Sequence, residues 1–205
     1  MIDQQLRKRG IDNERVLQAM DSVPRDQFVP EPIRARAYED GALPIGHQQT
    51  ISQPYIVALM TQLASPDPED KALDVGTGSG YQAAILSQLV DKVYSIEIVK
   101  PLADEASRRL KQLEYQNVEV RLGNGYQGWP EQAPFDVIIV AAAPEHVPNA
   151  LVDQLARGGK LIIPVGDRRR QELLLIEKQH DGTITRKTSL PVVFVPMTGE
   201  ATGKP

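Results

Sequence analysis

Apolar and polar positions change their spacing repeatedly between residue 71 and about residue 166. Short apolar runs indicate buried strands, whereas apolar residues three or four positions apart indicate helices. The predicted strands are 71–75, 92–97, 117–122, 135–140 and 160–165. The predicted helices are 81–90, 101–113 and 148–156, the last of them closed by Gly158-Gly159. This alternation predicts an α/β fold with a doubly wound, mostly parallel sheet.

The flanks of this core have different patterns. In residues 1–65, Asp12 or Asn13 can cap a helix, and prolines then break the chain into short pieces. Segment 40–55 is rich in turn formers and side-chain amides, which predicts a loop that is either a plain connector or functional, and a helix follows Pro54. Residues 172–197 predict a hairpin and a last strand at 192–195, which together form an antiparallel edge.

Composition narrows the class of protein. The 205 residues, 41% hydrophobic and 24% charged, suit one globular domain with an N-terminal extension (1–65), an α/β core (71–166) and a C-terminal hairpin and strand (172–197). Cysteine is absent, which excludes disulfides and thiolate chemistry, and the three histidines lack metal-ligand spacing. The net charge of −4 disfavours a nucleic-acid partner. No apolar stretch is long enough to span a membrane or to form a signal peptide, so we expect a cytoplasmic protein.

The glycine-rich segment 74–80 follows a predicted strand and opens a predicted helix. Gly76 and Gly78 allow a tight turn with close approach of a ligand to the backbone. The third glycine is Gly80, and the bulky Tyr81 stands where a dinucleotide site has its glycine. The spacing therefore favours a nucleoside ligand without phosphates. Glu97, at the end of the second strand of the core, is placed to accept hydrogen bonds from two ribose hydroxyls.

The glycine-rich segment and Glu97 together resemble the cofactor site of an S-adenosylmethionine-dependent methyltransferase with a Rossmann-like sheet. The flanking segments resemble the protein-L-isoaspartate O-methyltransferase family over nearly the whole chain. They are Val23-Pro24-Arg25, Phe28-Val29-Pro30, Leu43-Pro44-Ile45-Gly46, Gln49-Thr50-Ile51-Ser52-Gln53-Pro54, Ala141-Ala142-Ala143-Pro144, Leu161 to Gly166 and Phe194-Val195-Pro196-Met197.

The resemblance implies methylation of the free α-carboxylate of isoaspartyl residues in damaged proteins or peptides, with S-adenosylmethionine as methyl donor and S-adenosylhomocysteine as product. The implied cofactor-binding residues are Asp74, Gly76, Thr77, Gly78, Gly80, Glu97, Asn124 and Gly125. The implied substrate-binding residues are Thr50, Ile51, Ser52, Gln53, Ala142, Val195 and Pro196, with Ser52 as the catalytic residue and no metal.

The chain departs from the family pattern at two positions. Gln48 stands where the family usually has glycine, and Asn124 stands where it usually has aspartate beside the adenine. Asn124 can still accept a hydrogen bond through its amide oxygen, although as a neutral and weaker partner.

A carboxylate nucleophile is already ionised at neutral pH, so the implied reaction needs no general base. The resemblance places Ser52 in the active site, where we predict that its hydroxyl and backbone N–H, both neutral donors, hold the carboxylate. The alternative role of Ser52 is to cap the helix that follows it. Two other functions stay open at this point: methylation of RNA or a small metabolite on the same fold, and a nucleoside-binding protein that has lost catalysis. We expect a monomer that acts on isoaspartyl proteins.

Overall fold

The computed structural model describes residues 1–199. Its strands are β1 (Leu43–Gly46), β2 (Gln49–Ile51), β3 (Lys71–Val75), β4 (Lys92–Glu97), β5 (Val118–Leu122), β6 (Phe135–Val140), β7 (Leu155–Gly166), β8 (Gln171–Lys178) and β9 (Ile184–Val192). A seven-stranded sheet has the order β5-β4-β3-β6-β7-β8-β9, and β1 pairs with β2 separately. Strands β3 to β7 are parallel, whereas β8 and β9 are antiparallel. The α/β fold with an antiparallel C-terminal edge is thus as predicted.

The α-helices lie between these strands and before them. They are α1 (Glu14–Ser22), α2 (Pro54–Ala64), α3 (Tyr81–Ser87), α4 (Lys100–Gln112) and α5 (Asn149–Asp153). Short turns of other helix types are Ile2–Leu6, Arg7–Arg9, Arg25–Phe28, Glu31–Arg36, Gly125–Gln127 and Pro130–Gln132. Among the helices of residues 1–199, none is long and apolar enough to cross a membrane.

The order of the strands reverses between β3 and β6, which are neighbours in the sheet. The chain first moves outward through β4 to β5, and then returns to the other side of β3. The carboxyl ends of parallel strands on either side of such a reversal leave a crevice, and ligands of open α/β sheets bind there. The topology therefore places the candidate site beyond Val75 and Val140.

The N-terminal extension packs on one face of the sheet, in the same apolar cluster as α2 and α3. Asn13 caps the start of α1 by accepting hydrogen bonds from the amides of Arg15 and Val16. Of the two predicted candidates, Asp12 and Asn13, it is therefore Asn13 that caps the helix. The ring of Phe28 lies edge-on to Tyr81, 5.4 Å between centroids, which fixes the extension against the start of α3.

Three predicted elements of the core differ from the structure. Helix α3 ends at Ser87 and not at residue 90, because the Asn117 side chain donates to the carbonyls of Ser87 and Val90 and satisfies them outside a helix. Helix α5 is shorter than 148–156, and β7 already starts at Leu155. The pair Gly158-Gly159 does not close a helix.

These two glycines instead form an irregularity in β7, where the register against β6 shifts between Phe135 and Val137. A Cβ on Gly159 would stand 3.0 Å from the carbonyl oxygens of Phe135 and Asp136, so only glycine fits there. The glycines therefore allow β6 and β7 to approach each other closely.

Two predictions outside the core, for segment 40–55 and for residues 192–195, also differ from the structure. Segment 40–55 contains the hairpin β1–β2, whose apolar residues Leu43, Ile45 and Ile51 are buried. The predicted strand at 192–195 does not form beyond Val192. The chain leaves the sheet there, and Pro196 forms a single bridge with Ala143.

Candidate active site at the carboxyl edge of the sheet

A cleft with about 890 Å³ of space, partly open to solvent, lies at the reversal point between β3 and β6. Its walls come from the glycine-rich loop after β3, the end of β4, the loop after β6, the β2–α2 junction and the chain segment after residue 194. A concave cleft with this mixed apolar and polar lining suits a small organic ligand.

The glycine-rich loop turns sharply away from β3. Gly76, Gly78 and Gly80 have φ angles of +95°, +52° and +91°, which L side chains rarely adopt. The amides of Gly76 and Thr77 both donate to the carbonyl of Ile96, at 2.8 and 3.1 Å, so the loop is fixed to the end of β4. Gly76 and Gly78 consequently line the cleft with backbone and no side chains of their own.

Glu97 is 6% exposed and held by two backbone amides. Its Oε2 accepts from Gly78 and its Oε1 from Val99, each at 2.8 Å. A carboxylate has about four acceptor positions, so each oxygen keeps capacity for one further donor. Because the side chain lines the cleft, this capacity suits a ligand with two adjacent hydroxyl groups.

Asp74 lies below the loop and is fully buried. Its Oδ2 accepts from the Ser95 hydroxyl at 2.7 Å, and Thr77 completes the chain with a hydroxyl contact to Ser95 at 2.6 Å. The other oxygen, Oδ1, has no hydrogen-bond partner among the described residues. Burial, opposed by the hydrogen bond from Ser95 and assisted by the nearby charge of Glu97, raises the pKa of Asp74 to about 7.

The wall beyond Glu97 is apolar, with Ile98, Gly125 and Met197 in its lining. A Cβ on Gly125 would stand 2.5 Å from Val75 Cγ1 and 2.8 Å from Met197 Cε. Only glycine therefore fits between Val75 and Met197 at this position, and the surrounding apolar wall suits a flat aromatic group.

Ser52 reaches the cleft from the junction between β2 and α2. Its carbonyl accepts a 2.7 Å hydrogen bond from Nη2 of Arg25, whose Nε binds the carbonyl of Ala37 at 2.7 Å. Arg25 is fully buried and lies 4.8 Å over the ring of Tyr81, and burial lowers its pKa. The Ser52 hydroxyl has no partner among residues 1–199, so it is free to donate to a ligand.

The β1–β2 hairpin turns at His47 and Gln48, with φ angles of +50° and +59°. Both angles lie in the left-handed region, in which a two-residue hairpin turn favours glycine or asparagine. Glycine would adopt the conformation of Gln48 with less strain.

The segment after Phe194 crosses the carboxyl end of β6. The amide of Ala143 donates to the carbonyl of Val195, and the amide of Met197 donates to the carbonyl of Ala143, each at 2.8 Å. These contacts bring Val195 and Pro196 to the mouth of the cleft.

Most of the predicted site residues meet in this cleft. Those in its lining are Thr50, Ile51, Ser52, Gly76, Thr77, Gly78, Glu97, Gly125, Ala142, Val195 and Pro196. Those outside it are Gln53, Asp74, Gly80 and Asn124. Gly80 faces α4, since a Cβ there would meet Leu110 at 3.2 Å, and Gln53 donates to Asp40 at 2.8 Å. Asn124 caps the turn 125–127 by accepting from the amide of Tyr126 at 3.0 Å.

Sequence reasoning missed several wall residues. Val57 and Met60 line the cleft from α2, a segment for which the sequence predicted only a helix. Arg25 was noted only as part of a motif, and nothing in its neighbourhood along the chain reveals its contact with Ser52, 27 residues away. Met197 was likewise noted only as the end of a motif, and Ile98 and Thr198 carried no signal at all.

Comparisons with known proteins agree on one family. A model of the family "protein-L-isoaspartate(D-aspartate) O-methyltransferase" matches residues 1–202. A protein-L-isoaspartate O-methyltransferase of Gloeobacter violaceus is 52% identical over 200 residues, which are 98% of this chain and 98% of the relative. A protein-L-isoaspartate O-methyltransferase 2 of Polaromonas sp. is 55% identical over 189 residues, or 92% of this chain and 90% of the relative.

A solved structure from Plasmodium falciparum, described as a beta-aspartate methyltransferase in complex with S-adenosyl-L-homocysteine, is similar over 96% of both chains, with a TM-score of 0.84 and 30% identity. A second solved protein-L-isoaspartate O-methyltransferase has a TM-score of 0.87 and 30% identity over 97% of this chain and 66% of its own.

Proposed function

The chain belongs to the protein-L-isoaspartate(D-aspartate) O-methyltransferase family, and from that membership and the cleft we infer how its residues act. The protein transfers a methyl group from S-adenosyl-L-methionine to the free α-carboxylate of L-isoaspartyl residues in damaged proteins and peptides. The other product is S-adenosyl-L-homocysteine. The methyl ester leads to a succinimide, which begins repair.

The cleft fits the cofactor by the chemistry of its donors and acceptors. Glu97 offers two acceptors for the ribose hydroxyls, and the apolar wall near Gly125 suits the adenine ring. Gly76 and Gly78 line the same cleft and are proposed to lie beside the methionine portion. When bound, S-adenosylmethionine supplies an electrophilic methyl group on a sulfonium.

No general base is needed, because the substrate carboxylate is ionised well below neutral pH. The described lining of the cleft agrees with this chemistry, since Glu97 is its only carboxylate and it contains no histidine or lysine. Glu97 itself is engaged by two amides and is placed to bind, not to remove a proton. The contribution of the chain is therefore to orient the carboxylate and the methyl donor, which lowers the barrier to methyl transfer by ~7–11 kcal/mol at most.

Ser52 is proposed to hold the attacking carboxylate through its hydroxyl. A neutral donor suits this task, because a strong cationic clamp would stabilise the charged ground state, whose charge is lost on transfer. Arg25 supports the arrangement from behind, by holding the Ser52 carbonyl and leaving the hydroxyl free. Thr50, Ile51 and Gln53 are proposed to contact the substrate beside it.

The loop after β6 and the segment after Phe194 are proposed to flank the isoaspartyl residue with Ala142, Val195 and Pro196. The cross-over contacts between Ala143 and Val195 support this role, because they fix both segments beside the Ser52 side of the cleft.

We also propose a cytoplasmic monomer without a nucleic-acid partner. The absence of cysteine suits a reducing compartment, and the net charge of −4 opposes binding to a polyanion. The large exposed apolar residues lie on separate elements, which supports a monomer. Light scattering coupled to size-exclusion chromatography tests the oligomeric state.

The observation that carries the proposed roles is the meeting of Glu97, the glycine-rich loop and Ser52 in one cleft. The decisive experiment measures methyl transfer from labelled S-adenosylmethionine to an isoaspartyl peptide and to its normal aspartyl twin. Base-labile methylation of the isoaspartyl peptide alone is expected. Equal methylation of both peptides, or of RNA only, would contradict the assignment.

A further inference from the structure

A second groove, with about 1270 Å³ of space, adjoins the cleft. The two share Thr50, Ser52, Ala141 and Val195 in their linings, so a peptide whose isoaspartyl residue lies at Ser52 has the groove beside it. An extended peptide advances ~3.3–3.6 Å per residue, so the groove receives residues that flank the isoaspartate.

The charge of this groove is opposite to that of the chain. Arg9, Arg169 and Arg170 line it, and its described lining contains no aspartate or glutamate, although the whole chain carries a net charge of −4. Arg9 is paired with Asp40 at 3.0 Å and Arg170 with Glu172 at 2.9 Å, which leaves Arg169 as the groove arginine without an ion pair to any described residue.

These two arginines are exposed and differ in their partners. Arg169 makes no side-chain hydrogen bond or ion pair with any described residue, and Arg170 pairs at the surface with Glu172 at 2.9 Å. Their backbone amides both donate to Oδ1 of Asp167, at 2.7 and 2.9 Å, which orders the turn that carries them. The turn therefore holds Arg169 at the groove with its charge unpaired by any described residue, beside Arg170, whose charge is shared with Glu172.

We propose that Arg169 and Arg170 determine substrate preference, by binding acidic side chains that flank the isoaspartyl residue in the peptide. The inference rests on the proposed function, since it uses Ser52 as the place of the isoaspartyl carboxylate. The acidic flanks match the groove in charge, and arginine pairs well with carboxylates.

The test compares two isoaspartyl peptides that differ only in their flanks, with glutamate in one and glutamine in the other. In the wild type at 0.1 M salt, kcat/KM for the glutamate peptide should be higher by roughly three- to tenfold, through KM, as exposed ion pairs allow. The preference should disappear at 1 M salt, where charges are screened within ~3 Å. Peptides with glutamate on one side only show which flank lies in the groove.

Arg169→Gln should reduce the preference, and Arg169→Gln combined with Arg170→Gln should abolish it, while the glutamine peptide keeps its kcat/KM. Arg168→Gln is the matched control: it removes the same charge from the same turn, but Arg168 does not line the groove, so the preference should remain. A preference that survives in the double variant, that falls equally in Arg168→Gln, or that favours glutamine overturns the inference. If neither peptide is methylated, the proposed function fails instead.

Discussion

Glu97→Gln is the change that best tests the cofactor site, because it alters charge and hydrogen bonding without altering size. In the structure the two oxygens of Glu97 accept from the amides of Gly78 and Val99, each at 2.8 Å. The glutamine NH₂ group must face one of these two N–H groups and cannot accept from it. The same replacement removes one acceptor from the ribose hydroxyls.

Each hydrogen bond to a charged group contributes ~1.5–3 kcal/mol. Loss of the contact to one hydroxyl therefore weakens the binding of S-adenosylhomocysteine by about ten- to a hundredfold. The loss of an amide contact destabilises the free protein by a similar free energy, which lowers Tm by roughly 3–12 °C for a chain of this size. Calorimetric titration gives the first quantity and a thermal melt the second.

A ligand analogue separates the ribose contact from general damage to the loop. S-adenosylhomocysteine without its 2′-hydroxyl should bind the wild type more weakly, and the loss should be smaller in Glu97→Gln, since the acceptor is already impaired. Glu119→Gln, on exposed β5 and outside the cleft, should change neither affinity. Equal losses from the missing hydroxyl in wild type and Glu97→Gln would refute the ribose assignment.

Ser52→Ala should lower kcat by about ten- to a hundredfold, because one hydrogen bond to a charged group is lost. The affinity for S-adenosylhomocysteine should stay unchanged. A covalent adduct on wild-type Ser52 in mass spectra would contradict its positioning role. Asp74→Asn should gain up to ~4 kcal/mol of unfolding free energy relative to wild type as the pH rises from 4 to 8, measured by urea unfolding. The sign follows because burial raises the pKa of Asp74 to about 7, so the folded wild type loses stability as this group ionises. Gln48→Gly should raise Tm by roughly 2–4 °C with unchanged activity, because it relieves a φ of +59°; an unchanged Tm would show that the turn is not strained. Asn124→Asp should keep the cap of turn 125–127 and hardly change affinity in calorimetry, whereas clearly tighter binding would indicate direct contact with the cofactor.

Strands β3, β4 and β6 could be predicted to the residue from the sequence. Each is a short apolar run between turn formers, and β6 is buried on both sides, so its pattern reflects its position at the centre of a parallel sheet. The glycine-rich loop and Glu97 could be found for the same reason, since the loop directly follows β3 and Glu97 is the last residue of β4.

Elements that depend on distant partners could not be predicted. The hairpin β1–β2 has only three buried apolar residues, and its strands form because these residues pack against α2 and the glycine-rich loop. The run at 192–195 looks like a strand by composition, but Val193 is 94% exposed and the next residues bind Ala143 instead of a strand. In the sequence alone, Gly158-Gly159 is typical of a helix end. The structure shows instead that carbonyl groups of β6 lie against Gly159.

The N-terminal extension connects the two halves of the site. Through Arg25 it holds the carbonyl of Ser52, and through Ile45 it covers the glycine-rich loop, since a Cβ on Gly78 would stand 3.4 Å from Ile45 Cδ1. Neither contact lies within the α/β core, so the core alone would contain Glu97 but neither the hydroxyl proposed to hold the carboxylate nor the cover over the loop. We therefore propose that the extension is part of the catalytic apparatus. Because methyl transfer requires both reactants in line, small shifts of the extension should affect turnover more than cofactor binding.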